Sequence, residues 1–239
     1  MSAAGSSVDG SGIRASGDST WIKICGVRDP QVAKTAAEAG ADAIGLMFVA
    51  RSPRHITLSQ AADIIEVLPE HVEPVGVFSN SPVAEIRHAA ESLGLHTVQL
   101  HGDEPVEAVS QLQPLRVIKA FGFDLDHLTH WLMAWKPLPA GLLQGLLVDA
   151  PAGTGPLRGG TGRCPDWNAI ARVRNQLSHL APLILAGGLS LGNIGEALKV
   201  IRPDGVDVSS GVESSPGVKQ IGQIIDFCKR VRAADAGQE

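Results

Sequence analysis

Cysteine is scarce in this chain. Three residues of 239, Cys25, Cys164 and Cys228, are odd in number, far apart and never in a CxxC pair. That excludes a disulfide framework and a thiolate metal site, and points to free thiols in a reducing cytoplasm. Positive charge is also short: 20 Lys and Arg stand against 25 Asp and Glu, for a formal net charge of −5. With no basic block, a nucleic-acid partner is excluded as the main business. No apolar run approaches a membrane span, and residues 1–20 lack the apolar centre of a signal peptide. None of the eight histidines lies in HxH or HExxH spacing, so no metal site is expected. No GxGxxG follows the first apolar strand, which removes the dinucleotide fingerprint.

What remains is a globular chain, 44% hydrophobic and 19% charged, able to build a sizeable core. Residues 1–20 read as a flexible Gly/Ser-rich tail, 21–232 as one domain, and 233–239 as a short C-terminal tail. Within the domain, short apolar strands alternate with amphipathic helical stretches. Strands are expected at WIKIC (21–25), DAIGLMF (42–48), EPVGVF (73–78), HTVQLH (96–101), LRVIKAF (115–121), QGLLVDA (144–150), APLILAG (181–187) and DGVDVSS (204–210). Helix signals lie between them. Asp29 caps a helix with Pro30 in its first turn, and Ser81, Pro82 and Gly94 read as cap, first turn and stop. Eight such units in about 215 residues fit a single α/β (β/α)₈ barrel of parallel strands better than an open doubly wound sheet.

In such a barrel the active site lies at the C-terminal ends of the strands. Cys25 ends the first strand and Asp149 the sixth, nearly opposite across the mouth. His101, after VQL, faces the same mouth. A Cys at a strand end is most often a small hydrophobe, so its partner across the barrel gives it meaning. Three glycine-rich loops, RGGTGRC (158–164), AGGLS (186–190) and SSGVES (209–214), would turn backbone amides toward one anion. The expected phosphate contacts are Gly160, Gly162, Gly187, Gly188, Ser209, Ser210 and Gly211, with the last three leading into a short helix. Strand parity puts Lys23 on the face of Cys25, one layer deeper, and Asp207 on the adjoining strand. A buried ammonium needs a counter-charge, so a Lys23–Asp207 ion pair is expected under the site.

Taken together, KICG (23–26), GADAIGLMF (40–48), SPRHIT (52–57), VGVF (75–78), VQLHGDE (98–104), VIKAF (117–121), LLVDA (146–150), GGTG (159–162), AGGL (186–189) and DVSSGVE (207–213) resemble the phosphoribosylanthranilate isomerase family, in order, from about residue 21 to about 230. The resemblance implies an Amadori rearrangement of N-(5-phosphoribosyl)anthranilate in tryptophan biosynthesis, with Cys25 as general base, Asp149 as general acid and Arg54 holding the anthranilate carboxylate. It implies a small-molecule substrate, no cofactor, and a monomer or homodimer. One departure stands out: where the family continues after GGTG with Lys and Thr or Ser, this chain reads RCPDW (163–167).

Elementary chemistry supports those roles. Opening a furanose needs a proton on the ring oxygen, and the aldose-to-ketose shift needs one taken from C2′. Two proton-transfer groups suffice, with no metal or redox cofactor. Two alternatives share the same loops: another sugar-phosphate isomerase or epimerase, and a noncatalytic barrel that binds a phosphometabolite.

Overall fold

The computed structural model describes residue 13 and residues 19–139, 141–150 and 164–237. Its strands are β1 (Trp21–Cys25), β2 (Ala43–Met47), β3 (Glu73–Phe78), β4 (Thr97–Leu100), β5 (Arg116–Gly122), β6 (Leu143–Asp149), β7 (Leu183–Leu185) and β8 (Gly205–Val208). Each pairs in parallel with its neighbours, and β1 pairs with both β2 and β8, so the sheet closes on itself. Around it run α1 (Pro30–Glu38), α2 (Leu58–Glu66), α3 (Val83–Leu93), α4 (Glu107–Gln111), α5 (Leu125–Trp135), α6 (Trp167–Ser178), α7 (Ile194–Ile201) and α8 (Ile221–Ala236). This is the expected (β/α)₈ barrel. No helix among the described residues is long and apolar enough to cross a membrane.

Among the described residues, side chains cap four of the eight helices, α1, α2, α5 and α6. The Asp29 side chain accepts from the amides of Gln31 and Val32 at 2.7 and 3.3 Å, ahead of Pro30. Thr57 and Gln60 form a reciprocal capping box on α2, and Asp166 accepts from the Ala169 amide on α6. On α3 the start differs from expectation. Pro82 has ψ 140°, an extended value, so it occupies the cap position itself; Ser81 lies outside, and no side chain caps this helix. Gly94 ends it as expected, at φ 64°.

Strand parity divides the core in two. Alternate residues such as Ile22, Ile24, Leu46 and Val98 point outward under the helices. Their neighbours Trp21, Ala43, Val75, Ile118, Leu147 and Ile184 fill the barrel interior. Burying one such Ile or Leu contributes about 1.5–3 kcal/mol. Ile13 joins the interior cluster, only 7% exposed, with its Cδ1 in the space beside Gly145. Most of the expected N-terminal tail lies outside the described residues, but Ile13 is a core residue.

The chain's other end also differs from expectation. The first residues of the expected tail are helical: α8 runs past 232 to Ala236, and its last turns bind the residue just before β1. Asp235 accepts from the Thr20 amide and hydroxyl at 3.1 and 2.6 Å, while Arg232 binds Gly40 and Asp42 at 2.9 Å each. After β8, Ser210–Val212 form a 3₁₀ turn, the short helix expected there. It leads into a small hairpin, β9 (Glu213–Ser215) and β10 (Val218–Lys219).

Candidate active site

A cavity of about 340 Å³ opens at the C-terminal ends of the strands. Cys25 and Asp149 both line it, from β1 and β6, three strands apart around the ring. Arg54 and His101 join them from the loops after β2 and β4. Gly187, Gly188, Ser209 and Ser210 form the wall beyond β7 and β8. Gly160 and Gly162 lie outside the described residues. Gly211 is not on the cavity wall: a Cβ there would fall 1.8 Å from the Leu189 carbonyl oxygen. Its glycine lets the loops after β7 and β8 touch. Gly187 and Gly188 have φ of 80° and 61°, and the first passes so close to Asp149 that a Cβ would lie 2.7 Å from Oδ1.

The thiol occupies a tight niche. Gly45 is its register partner on β2, and a Cβ there would stand 2.8 Å from the Cys25 sulfur. Below it, Lys23 donates to Asp207 at 2.8 Å, both side chains buried, as strand parity anticipates. Burial works to lower the Lys23 pKa, but Asp207 and Cys25 outweigh it and hold the ammonium above its ordinary value. Burial pushes the Cys25 thiol up; Lys23 opposes this, Asp207 adds to it, and Lys219 opposes it again. Burial and Asp207 thus favour the neutral thiol, while the two lysines favour the thiolate.

Arg54 reaches the site past Gly26, where φ is 74° and a Cβ would meet the Arg54 Cδ at 2.5 Å. Its guanidinium is aimed from behind by Glu213, which accepts from Nε and Nη2 at 2.8 Å each. Glu213 also accepts from Lys219 at 2.8 Å, and Lys219 donates to the Ser209 carbonyl at 3.0 Å. Ser209 in turn donates to the Cys25 carbonyl at 3.1 Å. An ordered chain thus runs from Arg54 to the backbone of the thiol. Burial would raise the Glu213 pKa, but Arg54 and Lys219 bring it below its ordinary value. Glu213 stands in a glycine-rich motif visible in the sequence, whereas Lys219 carries no local signal and is found only through the hairpin.

Asp149 is held on both oxygens. Oδ1 accepts from the Ala150 amide at 2.7 Å, and Oδ2 lies 3.3 Å from His101 Nε2. Behind His101, the Gln99 amide nitrogen stands 2.8 Å from Nδ1. Among the described residues no group of three or more His, Cys, Asp or Glu side chains is placed to hold a metal ion. Cys228 stands apart from this chemistry, lifted by burial to about 11 inside α8, whereas the Cys164 thiol donates to the Gly188 carbonyl at 3.5 Å, behind the cavity wall.

A thiol and a carboxyl group across one cavity, beside a wall of glycines and serines at the C-terminal ends of the strands, fit the layout of a sugar-phosphate isomerase barrel. The family model for N-(5'-phosphoribosyl)anthranilate (PRA) isomerase matches residues 22–230. The isomerase of Geobacter sulfurreducens is 41% identical over 88% of this chain and 98% of its own, and that of Roseiflexus castenholzii 44% over 89% and 98%. Among solved structures, phosphoribosylanthranilate isomerase from Thermotoga maritima superposes with a TM-score of 0.78 at 35% identity, covering 90% of this chain and 99% of that one. A phosphoribosylanthranilate isomerase solved with reduced 1-(o-carboxyphenylamino)-1-deoxyribulose 5-phosphate gives 0.76 at 33% identity. The chain belongs to the phosphoribosylanthranilate isomerase family, and it is an aldose–ketose isomerase of tryptophan biosynthesis.

Proposed function

We propose that Cys25 and Asp149 carry out the Amadori rearrangement of N-(5-phosphoribosyl)anthranilate as general base and general acid. Protonated Asp149 gives its proton to the furanose oxygen. The C1′–O bond breaks with its electron pair on that oxygen, while the anilino nitrogen's lone pair forms the C1′=N bond. The Cys25 thiolate then removes the C2′ proton; those electrons form the C1′=C2′ bond, and the imine pair returns to nitrogen. Tautomerisation of the resulting enol gives the aminoketose. Arg54 binds the anthranilate carboxylate with the Nη1–Nη2 edge of its guanidinium, the edge that Glu213 leaves free, and Lys could not match that planar fork. The amides of Gly187, Gly188, Ser209 and Ser210, with Gly160 and Gly162, hold the phosphate.

The single observation that carries this reading is the shared cavity, which places a thiol and a carboxyl group from β1 and β6 against the same space. Loss of phosphoribosylanthranilate fluorescence measures turnover directly. Cys25→Ser and Asp149→Asn are each expected to lower kcat by about 10²–10⁴-fold, the usual worth of a positioned acid or base. Turnover equal to wild type in either variant removes that residue from its role. Light scattering at working concentration separates a monomer from a homodimer; a Thermotoga maritima relative is dimeric.

A further inference from the structure

Gln99 faces the barrel interior on β4, fully buried, two residues before His101 and therefore on the same side of the strand. Its amide nitrogen lies 2.8 Å from His101 Nδ1, and His101 Nε2 lies 3.3 Å from Asp149 Oδ2. Three side chains thus form a line from the barrel interior to the carboxyl group. The polarity of that line follows from its first member. An amide nitrogen only donates, so Nδ1 accepts, and a neutral imidazole then carries its proton on Nε2.

The reverse amide orientation is the less stable one. Gln99 Oε1 has no hydrogen-bond partner among the described residues. Turning the amide over would put the NH₂ group in that place, and an unpaired buried donor is less well tolerated than an under-satisfied oxygen. We propose that Gln99 is a positioning residue: its amide holds His101 in the Nε2–H tautomer, so that His101 donates to the Asp149 carboxylate left after proton transfer. The assignment rests on Asp149 being the general acid. Its effect is on the transition state, because the carboxylate charge that develops at Oδ2 meets a donor already aimed. Binding of the substrate's phosphate and carboxylate, at the other walls, is untouched.

Nitrogen-15 NMR of histidine-labelled protein reads the tautomer directly. Wild type is expected to show His101 protonated on Nε2 alone. Gln99→Met keeps the side-chain length without the donor; it should lose the single tautomer and lower kcat about ten-fold, with KM changed less than about two-fold. Gln99→Glu offers only an acceptor and should move a proton onto Nδ1, with a similar loss of kcat. A wild-type Nδ1–H tautomer overturns the proposal, as do two folded variants with unchanged tautomer and kcat. If Gln99→Met fails to fold, the wild-type spectrum and Gln99→Glu decide. Full activity in Asp149→Asn would instead remove the acid assignment, leaving the tautomer measurement standing as a separate result.

Discussion

Cys25 shows how far a single side chain depends on what surrounds it. Its thiol sits in a niche that exists only because Gly45, its register partner, has no Cβ. Burial disfavours the thiolate, and Lys23 and Lys219 restore part of it. Lys219 itself is pushed down by burial, although Glu213 draws it up. Removing its charge should therefore raise the thiol further. In Lys219→Met, iodoacetamide is expected to alkylate Cys25 more slowly at pH 8, with the midpoint of the rate–pH curve moved upward. An unchanged midpoint would show that Lys219 holds Glu213 and the loop without acting on the thiol. Gly45→Ala brings a methyl within 2.8 Å of the sulfur, which is closer than van der Waals contact allows.

At the scale of elements, the ends of the chain do more than their composition suggests. Low hydrophobicity around Ile13 makes residues 1–20 read as a tail, yet Ile13 packs with Ile184 and Leu147 inside the barrel. Composition averages over a window, and one anchored side chain disappears in that average. Ile13→Ala is expected to lower stability by about 2 kcal/mol, as for other large-to-small core changes. A urea titration measures it, while kcat should be unaffected, because Ile13 is absent from the lining of the catalytic cavity. An unchanged urea midpoint would mean that Ile13 contributes nothing to the core. The helix and strand positions, by contrast, were readable: a capping residue such as Asp29 acts over one turn, and its geometry is set by neighbours in sequence. Ser81 failed as a cap because the ψ of Pro82 moved the helix start by one residue.

At the scale of the molecule, barrel closure brings charges together that the sequence keeps far apart. Lys119 on β5 is buried and donates to Glu104 at 2.7 Å and to the Gly102 carbonyl at 2.7 Å, fixing the loop that follows His101. Burial works to raise the Glu104 pKa, but Lys119 and the Asn80 amide outweigh it, so the folded value lies below the ordinary 4.5. The sign follows: Glu104 contributes stability above pH 4.5, and that contribution is lost as pH falls through its lower folded value. Glu73, raised by burial despite Thr97 and Arg116, works against this trend. Glu104→Gln should cost about 3 kcal/mol at pH 7, since it leaves a buried ammonium without its carboxylate. It should also flatten the fall of the urea midpoint below pH 4.5. Identical slopes for the two proteins would remove Glu104 as a source of acid sensitivity.

Sequence alone determined the repeating strand–helix alternation, the residues at strand ends and the Lys23–Asp207 pair, because periodicity and parity are local properties of a backbone with two fixed repeats. Tertiary structure alone decided that Gln99 stands behind His101 and Asp149, that Lys219 and Glu213 tie Arg54 to the thiol, and that Ile13 enters the core. Gln99 and His101 share a strand face by parity. Their meeting with Asp149, like those of Arg54 with Glu213 and of Ile13 with the core, joins residues far apart along the chain, and only the folded barrel brings them within reach.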